Sequence, residues 1–205
     1  MSLLVGKGIS ELKKGPLISL AAVSLVVLVL FPFDIQIGIF VRDITPDSFD
    51  DTFNFLSKWG LYLFYAIFAA LIIYSLSNKN KRLKGICLAY VKAQIVFSFL
   101  VVRVLKILLG RARPLYGTEF TFFSLDSGYN AFPSGHAADA FVSGVFLFFL
   151  LRNSAYRFLP LAYALLMALS RIMASAHHPS DIAAGMAIGI FGAHYMLRKQ
   201  PEWCQ

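Results

Sequence analysis

Three short polar clusters interrupt an otherwise apolar chain: Lys106 to Arg113-Pro114, Pro133-Ser134-Gly135-His136, and Ser170-Arg171 to His177 to Asp181. From them come three cations (Lys106, Arg113, Arg171), two imidazoles (His136, His177) and a carboxylate (Asp181). That set can bind a phosphate, attack it and protonate the departing oxygen. Arginine offers a planar fork to two phosphate oxygens and lysine adds a point charge. The Ser134-Gly135 step, followed by an apolar run, reads as the start of a helix whose free amides bind anions and whose glycine lets an oxyanion approach; Ser134 can both cap that helix and donate to phosphate. His177 and Asp181 are four apart, sharing one face if helical, so the carboxylate can fix the imidazole tautomer and leave the other nitrogen nucleophilic. Each cluster alone also fits a plainer role: snorkelling cations, an ordinary helix cap, or interfacial polar residues with a capping Asp.

The elements that must position these residues are membrane helices. The 205 residues are 58% hydrophobic with a mean hydropathy of +0.68, against about 45–50% apolar in soluble domains. A hydrocarbon core of about 30 Å takes roughly 20 apolar residues. Six such stretches stand out, near 16–33, 59–76, 86–109, 135–151, 158–176 and 181–197, which predicts an all-α six-helix transmembrane bundle forming a single membrane-embedded domain over 1–205. No fixed-period repeat, low-complexity tract or heptad run appears. The first stretch follows a basic segment but shows no small-x-small cleavage site before the polar loop beginning at Asp34, so it reads as a retained helix.

Charge sets the orientation. Lys7, Lys13, Lys14, then Lys79, Lys81, Arg82, Lys84, then Arg152, Arg157, and finally Arg198, Lys199 fall on alternate connections, which the positive-inside rule makes cytoplasmic together with both termini. The first external loop carries Asp34, Asp43, Asp47, Asp50 and Asp51 against Arg42 and Lys58. Trp59, Tyr116 and Trp203 suit interfacial anchoring. The net charge of +8 thus reads as cytoplasmic loops facing anionic lipid rather than as nucleic-acid binding. Cys87 and Cys204 fall on the reducing side and read as free thiols. In this topology all three polar clusters land on one external face.

In type, order and spacing, Lys106-x6-Arg113-Pro114, Pro133-Ser134-Gly135-His136 and Ser170-Arg171-x5-His177-x3-Asp181 resemble the three-part signature of the type 2 phosphatidic acid phosphatase (PAP2) superfamily, including its six-helix membrane lipid phosphatases. The resemblance covers residues 106–181. It implies that His177 attacks phosphorus to form a phosphohistidine, that Asp181 orients it, and that His136 protonates the leaving alcohol and later activates water. Lys106, Arg113 and Arg171, with Ser134 and the Gly135 amide, would hold the phosphate. No metal or other cofactor is implied, and no obligate protein partner. The expected substrate is a phosphorylated membrane lipid: phosphatidylglycerol phosphate, phosphatidic acid, undecaprenyl diphosphate or lipid A 1-phosphate. The expected place is a bacterial inner membrane with the site at the periplasmic face.

Other residues are open. His178 reads as a neighbour lining the mouth of the site. Asp139, one turn beyond His136, either tunes that histidine or hydrogen-bonds within the core. Lys92 and Gln94 read as snorkelling groups and His194 as structural. The stretch Leu115–Phe132 is expected to shape the headgroup pocket; it has Glu119 and Asp126 but no cation, which argues against a head with several extra phosphates. Two alternatives stand beside hydrolysis: transfer of the phosphoryl group to another lipid, or a transporter or lipid binder that uses the cations alone. The signature also resembles that of vanadate-dependent haloperoxidases, which are soluble.

Overall fold

A run of apolar residues in lipid must close all its backbone hydrogen bonds within itself, which favours helices. The structure, a computed structural model, describes residues 25–46 and 49–200. Among them there is no β-strand, only an isolated bridge between Arg111 and Phe120. The helices are α1 (Asp34–Ile44), α2 (Asp50–Trp59), α3 (Leu61–Ser77), α4 (Lys81–Ala93), α5 (Val102–Leu109), α6 (Gly135–Leu150), α7 (Leu159–Met173) and α8 (Pro179–Arg198). Five of them belong to three longer rods. α1 continues a helical stretch from Leu25 across the turn Phe31–Phe33, α2 runs into α3, and α4 reaches α5 through a π-helical segment, Gln94–Val101.

These rods, Leu25–Ile44, Asp51–Ser77 and Lys81–Leu109, are long and apolar enough to cross a membrane, and Gly135–Leu150 is a shorter apolar helix. They present large apolar side chains outward, among them Leu28, Phe40, Leu63, Ile73, Phe99 and Val104. Such a surface is stable only against lipid. Its described residues are all-helical, and the chain is an integral membrane protein.

Local chemistry sets the helix ends. Asn80 caps α4, accepting the Leu83 amide at 3.0 Å, and Ser134 caps α6, accepting that of Ala137 at 3.4 Å. Proline occupies the first turn of α7 and α8, where its missing N–H costs nothing. α5 stops at Gly110, which has φ +54°; a Cβ there would lie 1.7 Å from the Thr121 carbonyl oxygen, so the turn admits only glycine.

α6 is the buried centre, with Ala137, Ala138, Ala140, Phe141, Val142, Phe146 and Leu147 all enclosed. α8 lies against it at close range. A Cβ on Gly185 would sit 2.3 Å from the Ser134 carbonyl oxygen, and one on Gly189 2.3 Å from that of Ala138. Small residues four apart let membrane helices approach this closely, and packing then replaces the hydrophobic force that lipid does not supply. On the opposite side Phe68 stacks flat on Tyr90, with Phe146 edge-on to both.

Two expectations need correction. The polar loop expected from Asp34 is helix α1, and Asp34 itself is 2% exposed; it stays inside because it meets a buried arginine. Asp50 and Asp51 likewise begin α2 rather than lie in a loop. The third expected span, 86–109, ends where expected, at Leu109, because Gly110 stops it. The part of the first expected span before Leu25, Asp47, Cys204 and Trp203 lie outside the described residues; Cys87 is buried and free.

Candidate active site

The first cluster leaves the end of α5. Lys106, in its last turn, donates to the Asn130 carbonyl oxygen. Beyond Gly110 the chain folds back on itself: the Arg113 amide donates to Gly128 O at 2.9 Å and the Ala131 amide to Arg111 O at 3.0 Å. Arg113 is thereby held by a loop, not by a helix face.

The second cluster is the N-terminus of α6. The Ser134 amide donates to Asp181 O at 2.9 Å, fixing this turn to the start of α8. A Cβ on Gly135 would meet nothing closer than Val102 Cγ1 at 3.6 Å. The protein leaves that space unfilled, beside the free first-turn amides of the helix.

The third cluster spans the α7–α8 turn. Arg171, in the last turn of α7, donates to both the carbonyl and the hydroxyl of Ser57 on α2. Its own carbonyl accepts the amides of Ala176 and His177. His177 is not helical, so its approach to Asp181 does not come from a shared helix face as expected. α8 begins at Pro179, and Asp181 is in its first turn, where the carboxylate accepts the His178 amide at 2.8 Å. Its Oδ2 lies 3.6 Å from His177 Nδ1, ion-pair range rather than a hydrogen bond. Nε2 is left as the nitrogen free to react.

The structure brings all eight expected site residues to one region. The charges of Arg171, Lys106 and Arg113 all reach His136. His177 is fully enclosed, and burial lowers its pKa to about 4; Asp181 opposes that shift while Lys106 and Arg171 add to it. A neutral imidazole beside three cations is a competent nucleophile at neutral pH. Among the described residues, the buried Nε–H groups of Arg113 and Arg171 have no acceptor. Donors without partners on cations are what a tetrahedral oxyanion satisfies.

Two cavities flank this centre. One of about 500 Å³ is lined by Gly38, Arg42, Leu115, Glu119, His177 and His178 among others. The second, of about 490 Å³, is lined by Lys58, Tyr62, Tyr65, Gln94, His136 and Asp139 among others. His178 thus lines the mouth, as expected, and its amide also holds Asp181. Asp139 accepts from Tyr65 and, at 2.7 Å, from Gln94 Nε2, so Gln94 is a core hydrogen-bonding residue and does not snorkel. Lys92 is exposed, and His194 packs edge-on to Phe149. The loop after Arg113 supplies Leu115, Gly117, Thr118 and Glu119 to the first cavity, whereas Asp126 accepts from the Gly128 amide and only shapes a turn.

Sequence reasoning passed over one group. Arg111, 1% exposed, donates through Nη1 to Asp181 Oδ1 at 2.6 Å and Ser180 Oγ at 2.7 Å, and through Nη2 to Asp34 Oδ2 at 2.7 Å. The available signal was the first arginine of Arg111-Ala112-Arg113 together with Asp34 in an apolar run, since an ionisable group inside a membrane protein needs a partner.

The PAP2 superfamily model matches residues 86–203, more than half of the chain. The chain belongs to the PAP2 superfamily. Among relatives, it is 41% identical over 106 residues to a lipid A 1-phosphatase of Rhizobium etli, covering 49% of this chain and 45% of that one; the chain therefore spans less than half the length of this curated relative. Two solved PAP2-like folds overlay on it. The transmembrane PAP2-type phosphatidylglycerolphosphate phosphatase of Bacillus subtilis gives a TM-score of 0.60 at 18% identity, covering 87% of this chain and 94% of its own. LpxE of Aquifex aeolicus gives 0.59 at 23% identity, covering 81% and 95%. At these identities the likeness establishes the family's fold.

Proposed function

We propose that this protein is a membrane lipid phosphatase that removes a terminal phosphate from a lipid phosphate monoester or diphosphate through a phosphohistidine. The observation that carries the reading is the meeting of a buried neutral His177, an orienting Asp181, His136 at a helix N-terminus, and two guanidinium donors without partners. Lys106, Arg113, Arg171 and the Ser134-Gly135 turn hold the phosphate. His177 Nε2 forms a bond to phosphorus as the P–O bond to the lipid breaks, and His136 gives its proton to the leaving oxygen. The imidazole becomes cationic, and Asp181 stabilises it through Nδ1–H. A water on the vacated side then gives its proton to His136 as its oxygen bonds phosphorus, and the P–N bond breaks to release inorganic phosphate. None of these steps calls on a metal or other cofactor.

The chain acts as one membrane-embedded unit of six spans in a bacterial inner membrane, with both termini cytoplasmic and the site at the external face. The alternation of basic connections supports this orientation, and α6, α7 and α8, shorter or less apolar than the three long rods, complete the six. Substrate candidates are those of the family. The lipid A 1-phosphatase relative weighs against the expectation that a multiply phosphorylated head is disfavoured, and lipid A 1-phosphate belongs in the panel.

The test is inorganic phosphate release by purified protein from these lipids in detergent, with EDTA present and His177→Ala in parallel. Release that survives EDTA and vanishes in the variant supports the reading. No release until an acceptor lipid is added makes the enzyme a phosphotransferase, and equal release by the variant removes His177 as the nucleophile.

A further inference from the structure

The Arg111 network reaches outside the segment that the family model matches, because Asp34 on α1 precedes residue 86. Arg111 bridges two buried carboxylates at 2.7 and 2.6 Å, Asp34 and Asp181. Asp34 in turn accepts both the amide (2.8 Å) and the hydroxyl of Ser180, in the first turn of α8. The guanidinium lies over the rings of Phe31 and Phe120, at 4.7 and 5.6 Å from their centroids, which closes it off from water.

We infer that Arg111 and Asp34 are positioning residues for the phosphatase reaction, a bracket that aims Asp181 at His177. The inference rests on the function proposed above. Asp181 has two oxygens: Arg111 takes Oδ1, and the His178 amide takes Oδ2, the oxygen that faces His177 Nδ1. With Oδ1 pinned, the carboxylate cannot rotate about the Cβ–Cγ bond, and Oδ2 stays directed at the imidazole. Without the guanidinium, two enclosed carboxylates would face each other, and one would take up a proton or turn away. Asp34 balances the second half of the guanidinium, so that Arg111 does not withdraw Asp181 from the histidine. Lysine would keep the charge but cannot span both carboxylates with a fork. Neither residue belongs to the set placed around the phosphate, so their loss acts on the chemical step and not on binding.

The experiment compares wild type with Asp34→Asn, Arg111→Lys and Arg111→Gln, purified in detergent, for kcat, KM, inhibition by inorganic phosphate, thermal unfolding and the ¹⁵N shifts of the His177 ring. For a bracket that holds geometry to within an ångström, Arg111→Gln lowers kcat about 100-fold, with KM and phosphate inhibition within twofold. Arg111→Lys recovers part of that loss, and Asp34→Asn loses less than Arg111→Gln. The His177 Nδ1 resonance moves in all three. Wild-type kcat in folded variants overturns the inference, as does a loss carried by KM or by phosphate inhibition. Unfolding of the isosteric Asp34→Asn overturns it too, since the pair would then hold the fold and not the reaction geometry. A wild type that releases no phosphate defeats the phosphatase reading instead; the His177 shifts, which need no turnover, then decide whether the bracket positions the ring, and unchanged shifts refute it.

Discussion

Gly185→Ala tests whether the α6–α8 contact sets the reaction geometry. The new Cβ would stand 2.3 Å from Ser134 O and 3.0 Å from Ala137 Cβ, so the N-terminus of α6 must move by roughly 1 Å to reach ordinary contact. Ser134 immediately precedes Gly135 and His136, and a displacement of that size at a reacting group costs about 100-fold in rate. Gly189→Ala is the matched control. Its Cβ meets Ala138 O at 2.3 Å and Phe141 Cβ at 3.0 Å, the same crowding one helical turn farther from the phosphate turn. Both should lose about 1–3 kcal/mol of stability to overpacking. Phosphate release and thermal unfolding, measured together in detergent, should give similar unfolding temperatures for the two variants but a kcat at least tenfold lower for Gly185→Ala. Equal kcat in both, or wild-type kcat in Gly185→Ala, would refute the claim that this contact positions Ser134-Gly135-His136.

Gly135→Ala should fold normally, because its Cβ meets only Val102 at 3.6 Å; it should weaken inhibition by inorganic phosphate about tenfold, the effect of one lost charge-assisted contact, and unchanged inhibition would empty that space of its assigned anion. Gly110→Ala should unfold or express poorly, since φ +54° and a 1.7 Å clash with backbone leave the turn no relief, and thermal unfolding checks it. ¹⁵N NMR of the imidazoles should find His177 neutral at pH 6, its charge appearing only as pH falls toward about 4; because burial depresses this pKa, the unfolded chain binds the extra proton between the ordinary value and about 4, and stability declines across that window as pH drops. Half-protonation of His177 near pH 6.5 would contradict the burial on which its nucleophilicity depends.

The candidate site was legible as a set of residues because phosphate chemistry restricts residue types tightly: few arrangements other than His177 with Asp181, His136 after Ser134-Gly135, and Lys106, Arg113 and Arg171 combine a candidate nucleophile, an acid and charge. How they are held was less legible. His177 and Asp181 were expected on a helical face, yet Pro179 starts α8 two residues after the histidine, and the pair forms across a helix start. The span expected to end near residue 109 does end there, but nothing in the sequence showed how the turn at Gly110 holds Arg113. Asp34 was the largest departure. Periodicity registers only that an aspartate ends an apolar run, and no local pattern reveals an arginine 77 positions later that allows the helix to carry it inward. Gln94 failed for the same reason, its partner Asp139 being 45 positions away.

The length of α6 has a consequence for the membrane itself. At 16 residues and about 1.5 Å each it is roughly 24 Å long, some 6 Å less than a hydrocarbon layer of about 30 Å, while the rods beside it run to 27 and 29 residues. If its far end stands level with theirs, the end bearing His136 is recessed below the headgroup plane, and a lipid phosphate has to sink to meet it or the surrounding leaflet has to thin. Hydrophobic mismatch then becomes part of the reaction barrier, and bilayers of shorter acyl chains bring the substrate's phosphorus nearer the histidines without any change in the protein.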